Sequence, residues 1–310
     1  MRFCVDWNWP RICVVSRQMN LRNLPSLPHW LIPSSRLRIG LTYLWRHGRL
    51  PNISSPRRFT ELVQRRKLAD RDPRMAPLVN KVTAKTIASR LLGDDWIIPT
   101  LWTGNSLPHD PDWQYPVMLK ASHGCNQNIV CHNKREYDLA RRRASNWPLK
   151  AYGLWLDEWA YQQVPKGFIV EPYIGEKTAL PVDYKVYVFG GTAALMQVHI
   201  ERQQRHRWIL FNRQWKQVSQ IGECFIPPPI NLARMFEAAE RMASGFDFAR
   251  VDFYEIDGIP KFGEVTFYPG SGLDRFDPPE LDMEIGALWL NALESDPIDS
   301  EPLEEQAVAA

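Results

Sequence analysis

The stretch FDFARVDFYEIDGIPKFGEVTFYPGSGL, Phe246 to Leu273, decides the fold. Two apolar-rich runs with period-two alternation flank Asp257-Gly258, the pattern of a β-hairpin. Asp252 lies before the turn, Glu264 after it, and Thr266 two residues further on. Parity governs whether they meet. Both acidic positions are even-numbered, so a regular two-residue turn sends them to opposite faces; an odd-length loop or a bulge brings them to one face. A three-residue loop, Ile256-Asp257-Gly258, with Gly258 at positive φ, is the expectation. Arg250 then faces Glu264, with Asp252 diagonal to it on the same face. That face carries Arg250, Asp252, Glu264 and Thr266, and the back carries Val251, Phe253, Gly263 and Val265. Two carboxylates and a hydroxyl beside an arginine suit Mg2+ holding a polyphosphate, because magnesium prefers hard oxygen ligands. An exposed hairpin with a surface salt bridge accounts for the same residues equally well, and the hairpin alone does not separate the two readings.

Around this stretch, 310 residues suffice for a sizeable core and two or three lobes. The net charge of +3 is nearly balanced and does not call for nucleic acid. Its distribution is uneven: residues 1–50 hold eight arginines against one acid, Asp6, whereas Glu294 to Glu305 holds six acids and no base. Both ends read as surface or tail. The five cysteines (Cys4, Cys13, Cys125, Cys131, Cys224) form no CxxC pair and, with His123 and His132, match no zinc spacing. An odd count without a framework fits a reducing compartment. No run is long and apolar enough for a signal peptide or a membrane span, so a soluble, cytoplasmic protein is expected, starting at Met1 or at Met19.

Arg36 to Arg49 (RLRIGLTYLWRHGR) mixes arginines with Leu, Ile, Tyr and Trp. Such a segment could rest on an anionic membrane surface. The plainer reading, a helix packed on the body with its arginines solvated, is preferred. Helices are predicted over Phe59–Ala69 and Pro77–Leu92, the second ended by Gly93. Lys81 and Lys85 project from it one turn apart, ordinarily a solvated face. A strand is predicted at Trp96–Thr100. Tyr115 to Cys131 reads as strand, loop, strand, with Lys120 closing an apolar strand before the polar loop Ala-Ser-His-Gly-Cys-Asn-Gln-Asn. A loop of this kind can donate backbone N–H groups to phosphates while the lysine supplies charge, although one glycine is a weak signal and an ordinary hairpin fits as well.

Lys134 to Lys150 is basic and helical in pattern. Gly167 to Ile174 is a strand with Glu171 in its apolar run; a buried carboxylate needs a partner, and a purine amine or a lysine would serve. Asp183-Tyr184-Lys185 opens two strands around Gly190-Gly191, with Lys185 and Arg202 near their open ends. Arg207 to Asn212 is a further strand, and Asn231 to Gly245 a helix with an Asn cap. Cys125 and His123 are neighbours, but no third orienting residue can be placed for a nucleophilic dyad. The chain has no GxxxxGK[ST] and no GxGxxG after a strand.

Taken in order, a helix lysine, a strand lysine with a polar loop, a strand glutamate, the DYK lysine, and R-x-D and E-x-T on one hairpin resemble the ATP-grasp superfamily. Within it they resemble the group named for teichuronopeptide biosynthesis. LLGDDWIIP, VMLKASHG, DYKVYVFGG and FARVDFYEIDGIPKFGEVTFYPGSGL carry the resemblance, which covers Phe59 to Trp289. It implies an α+β fold with two antiparallel lobes clasping ATP, preceded by a helical N-terminal region. The implied division is a basic extension (1–56), an N-terminal subdomain (57–111), a phosphate-loop lobe (112–172), a metal-binding lobe (173–290) and an acidic tail (291–310). By position, Lys120 and Lys185 would meet the α- and β-phosphates, with Lys81 contributing. Glu171 would stand at the adenine hinge. Arg250 would stabilise the transferring phosphoryl group, with Arg202 as a second contact. Asp252, Glu264 and Thr266 would bind Mg2+. Three departures stand out: Thr266 where Asn is common, Asn80 before Lys81 where Asp is usual, and Gly124-Cys125-Asn126 where a second glycine is usual. The implied activity is carboxylate–amine ligation through an acyl phosphate in surface polysaccharide or peptidyl-glycan biosynthesis, on small-molecule or glycan carboxylates and amines. A kinase of a hydroxyl acceptor and a non-catalytic nucleotide-binding partner are the alternatives.

Overall fold

A computed structural model describes residues 32–149, 152–175, 180–200, 207–219 and 226–295. The extension before residue 32, the tail beyond residue 295 and Arg202 lie outside the described residues. The helices are α1 (Ser35–His47), α2 (Phe59–Ala69), α3 (Met75–Val79), α4 (Lys81–Leu92), α5 (Lys134–Ala144), α6 (Trp159–Gln162), α7 (Leu232–Met242) and α8 (Leu281–Glu294). The strands are β1 (Trp102–Gly104), β2 (Val117–Ala121), β3 (Asn128–Cys131), β4 (Phe168–Pro172), β5 (Asp183–Phe189), β6 (Thr192–Ile200), β7 (Arg207–Asn212), β8 (Phe248–Ile256) and β9 (Ile259–Thr266). They form two antiparallel sheets, ordered β1-β4-β2-β3 and β7-β6-β5-β8-β9. The fold is α+β, as the sequence predicts.

The first sheet buries Val117, Leu119, Phe168 and Val170 against Tyr137, Ala140 and Ala144 of α5. The second sheet has a mostly apolar back face, including Val186, Val188, Val251 and Phe253, which packs on α7 through Met235, Phe236, Ala239 and Met242. Its front face is divided. Tyr187, Phe189 and Phe248 meet Phe59 of α2 and Trp289 of α8 in a cluster of tilted and edge-on rings. Such contacts add to the area term of burying large rings. The rest of the front face carries charge.

Four local expectations change. Pro77–Leu92 is not one helix: Asn80 is extended (φ −79°, ψ 118°) and its side chain accepts from the Val82 N–H at 3.0 Å, ending α3 and capping α4. The strand predicted at Trp96–Thr100 forms later. A 3-10 turn occupies Asp94–Trp96, Pro99 has no N–H for a ladder, and pairing begins as the Leu101 N–H donates to the Val170 carbonyl at 2.9 Å. Asn231 does not cap α7 with its side chain; its amide donates to the Gly258 carbonyl at 2.6 Å and to Glu255 Oε1 at 3.0 Å, tying the helix to the β8–β9 turn.

The fourth is the turn itself. Ile256 pairs with Ile259, so the loop is the two residues Asp257 (φ 52°) and Gly258 (φ 72°), both left-handed as a type I′ hairpin needs. The carboxylates still share a face, by the other route parity allows. Phe253 pairs with Phe262 but Asp252 pairs with Glu264, leaving Gly263 as an extra residue in a β-bulge. Asp252 therefore stands directly opposite Glu264, and Arg250 opposite Thr266 rather than Glu264. A Cβ on Gly263 would lie 2.9 Å from the Asp252 carbonyl oxygen, so this bulge needs a glycine.

Candidate active site

The charged half of the second sheet is built by register. Lys185 on β5 faces Asp252 on β8, and Asp252 faces Glu264 on β9, so the three side chains form a row across adjacent strands. Arg250 grips Asp252 with both arms, Nε to Oδ1 and Nη2 to Oδ2, each at 2.8 Å. Lys185 also donates to Asp252 and lies 2.7 Å from Asp183, two residues earlier on its own strand. From α4, Lys81 donates to Glu264 at 3.0 Å. Three cations thus surround three carboxylates, and Asp252 is only 1% exposed. The Thr266 hydroxyl, two residues along β9 from Glu264 and opposite Arg250, accepts from the Tyr268 N–H at 3.3 Å.

Burial and charge set the protonation states. Burial opposes ionisation of Glu264, but Lys81, Lys185 and Arg250 together outweigh it and hold its pKa down at about 2. For Asp252, burial is the larger influence and pushes the carboxyl up from its ordinary value; Arg250 and Lys185 offset this, while Asp183 and Glu264 add repulsion. Burial works against the charged form of Lys81, yet Glu264 beside it raises the ammonium pKa above its usual range.

A second charged group lies on the first sheet. Glu171 on β4 receives Lys120 of β2 at 2.5 Å and Lys85 of α4 at 2.6 Å. Burial alone would raise its pKa; the two lysines reverse that and lower it. Burial lowers the pKa of Lys85 in turn, partly offset by Glu171. Lys85 is 9% exposed and also donates to Thr100 at 2.8 Å. It is not on a solvated face. α4 joins the two groups: the Lys81 N–H donates to the Ser122 carbonyl of the polar loop at 3.1 Å, while its ammonium reaches Glu264.

The polar loop is fixed by side chains rather than glycines. His123 is buried; its Nδ1 accepts from the Gly167 N–H at 3.3 Å, so Nε2 carries the proton and donates to the Trp147 carbonyl at 3.4 Å. It is not paired with Cys125, whose sulfur sits 3.3 Å from the Tyr161 hydroxyl and whose thiol pKa burial raises, the opposite of an activated nucleophile. Two sequence departures gain a physical account. Asn126 has φ 62°, and Asn is the residue other than Gly that enters this region most readily. Asn80 caps α4 through a side-chain oxygen, which Asp would supply equally.

Of the candidates named from sequence, Lys81, Lys185, Arg250, Asp252, Glu264 and Thr266 form one cluster, and Lys120 joins Glu171 in the other. Lys85 and Asp183 were missed. The i, i+4 spacing of Lys81 and Lys85, and the alternation of Asp183 with Lys185, were the available signals.

The family model for the TupA-like ATPgrasp group matches residues 61–290. No curated protein matches the chain. Among solved structures, D-alanine–D-alanine ligase from Bacillus anthracis with ATP is 16% identical, covering 70% of this chain and 67% of that one, with a TM-score of 0.40. Biotin carboxylase from Campylobacter jejuni with β-γ-ATP is 16% identical over 73% of this chain and 48% of that one, at 0.46. An L-amino acid ligase from Bacillus licheniformis is 14% identical over 73% and 45%, at 0.41. The chain spans about half the length of the last two.

Proposed function

This chain belongs to the TupA-like ATP-grasp family, and on that premise we propose that it is an ATP- and magnesium-dependent carboxylate–amine ligase. The observation that carries the proposal is the row Lys185–Asp252–Glu264, flanked by Arg250 and Lys81. Cations held by carboxylates on one sheet face are ready to exchange those partners for the oxygens of a triphosphate. Lys120, Lys185 and Lys81 would take phosphate oxygens, and Glu171 with the backbone after it would border the adenine. The donor set fits magnesium: Asp252 and Glu264 face one another and offer hard oxygens, with the Thr266 hydroxyl two residues along β9 from Glu264. When bound there, Mg2+ would neutralise charge on the triphosphate.

The protein's own part is placement and charge compensation. A substrate carboxylate oxygen attacks the γ-phosphorus, the bond to the β-phosphate oxygen breaks, and ADP leaves. Arg250, fixed by its bidentate grip on Asp252, stabilises charge on the phosphoryl group in flight, with Arg202 as a second contact. An amine then attacks the acyl carbon, phosphate departs with the bonding pair, and the new amide nitrogen loses a proton. Small-molecule or glycan carboxylates and amines in the cytoplasm, on a route to a surface polysaccharide or peptidyl glycan, are the proposed substrates.

Incubation with ATP, Mg2+, candidate acceptors and hydroxylamine tests this. A hydroxamate formed with stoichiometric ADP supports the ligase. A stable phosphoester would indicate a kinase instead, and nucleotide binding without ADP release would refute turnover of either kind. Asp252→Asn and Glu264→Gln should each abolish ADP release.

A further inference from the structure

The outer face of α1 takes no part in the nucleotide chemistry, and its polarity is inverted. Two of the three arginines of α1, Arg38 and Arg46, point inward. Arg38 pairs with Asp157 and donates to the carbonyls of Ile32 at 2.6 Å and Pro33 at 3.0 Å. Arg46 donates to the Leu273 carbonyl at 2.7 Å, and the Tyr43 hydroxyl shares a hydrogen bond with Thr60 at 2.9 Å. Ile39 and Tyr43 are buried. These contacts set the rotation of the helix. Leu37, Leu41, Leu44 and Trp45, at i, i+4, i+7 and i+8, therefore face solvent at 53%, 44%, 40% and 46% exposure, with Leu50 beyond them at 65%. A run of large apolar side chains on one helix face marks an interaction surface rather than ordinary exposure.

Charge selects the partner. From residue 32 to 69 the chain has nine Lys and Arg and a single acid, Glu61, which is buried. Arg36, next to Leu37, shares a cavity with Arg65 of α2, Ile53 and Leu68. Both arginines are exposed. A second copy docked face to face would oppose these cations with their own kind, and residues 1–31 add four more arginines against one acid. Like charges oppose either of those occupants. We propose that this face docks on an anionic phospholipid bilayer. The leucines and Trp45 would enter the boundary between headgroups and acyl chains, and Arg36 and Arg65 would stay among the lipid phosphates.

Co-sedimentation of the full chain with vesicles tests it. The protein should pellet with phosphatidylcholine vesicles containing about one-third phosphatidylglycerol. It should pellet much less with phosphatidylcholine alone, or in roughly 0.5 M salt, where screening shortens the reach of the charges. Leu41→Glu/Leu44→Glu should reduce partitioning about tenfold or more, with circular dichroism and melting unchanged. Should that variant misfold, Leu37→Ser/Trp45→Ser interrogates the same face. Failure of the wild type to bind anionic vesicles overturns the proposal. So does full binding by a folded double variant, which would shift the contact to residues outside α1. A lipid-free dimer abolished by the same substitutions would assign the face to a second copy and overturn it too.

Discussion

The bulge at Gly263 is the most exposed point of the site's design, and alanine there is the smallest change that tests it. A Cβ at this position would lie 2.9 Å from the Asp252 carbonyl oxygen, where ordinary contact begins at 3.4 Å, a shortfall of 0.5 Å (3.4 − 2.9). It would also lie 3.3 Å from Tyr254 Cε2, but that ring can move; the backbone oxygen belongs to the residue whose carboxylate anchors Arg250 and Lys185. Gly263→Ala should therefore displace Asp252 by about 0.5 Å and cost about 1–3 kcal/mol of stability, as other overpacked sites do. Turnover should suffer more than folding, because reacting groups must be held to within about 0.5 Å. A fall in kcat of about tenfold or more is expected, with ATP affinity changed little. Deleting Gly263 is the counter-test. Glu264 then follows Phe262 directly, so a regular ladder still sets it opposite Asp252. ADP release should stay within about tenfold of wild type, against its loss in Glu264→Gln. Denaturant melts and ADP-release assays on the three variants decide the matter. Wild-type turnover in Gly263→Ala, or a folded deletion variant as inactive as Glu264→Gln, would refute the reasoning.

Lys120→Ala and Lys185→Ala should each weaken ATP binding by about 1.5–3 kcal/mol in calorimetry, the worth of a charge-assisted hydrogen bond. Their ligand-free melts should diverge: Glu171 keeps Lys85 when Lys120 is lost, whereas Asp183 and Asp252 lose a shared buried cation with Lys185, so the second variant should melt lower. Acid titration should reveal Lys81. The folded pKa of Glu264 is depressed to about 2, so its contribution is full above the unfolded value of about 4.3 and is lost as pH falls from there toward 2. Lys81→Met leaves burial less opposed, raises the folded pKa, and should flatten the dependence of melting on pH across that window; an unchanged slope would count against the pairing. Arg38→Leu should cost about 3–5 kcal/mol in chemical denaturation by stranding the buried Asp157, whereas Arg36→Leu on the exposed side should cost under about 0.5 kcal/mol.

Local chemistry made much of the fold legible. α2 and β7 form over the predicted Phe59–Ala69 and Arg207–Asn212, and the Gly190-Gly191 pair (φ 53° and 79°) turns β5 into β6 as its composition requires. Alternation, turn residues and caps act over a few positions, so one sequence window contains the whole cause. The same holds for the membership of the site. Parity demanded an odd loop or a bulge before Asp252 and Glu264 could meet, and the strand lysine and strand glutamate were out of place unless partnered.

Tertiary structure decided the rest. Which of the two devices solves the parity problem depends on close approach at Gly263, where the Asp252 carbonyl leaves no room for a Cβ. Glu171 finds Lys85 from 86 residues away, and Arg38 finds Asp157 from 119 away. Neither pairing leaves a trace in a local pattern, because a buried charge is stabilised by whatever the packed chain brings to it. That is why the preferred reading of α1 holds only in part: the helix packs on the body through Ile39 and Tyr43, but Arg38 and Arg46 are buried rather than solvated. Its spacing specifies a helix with an arginine-bearing face and a leucine-bearing face, and the buried partners Asp157 and Leu273, far along the chain, turn Arg38 and Arg46 in and the leucines out, leaving Arg36 exposed.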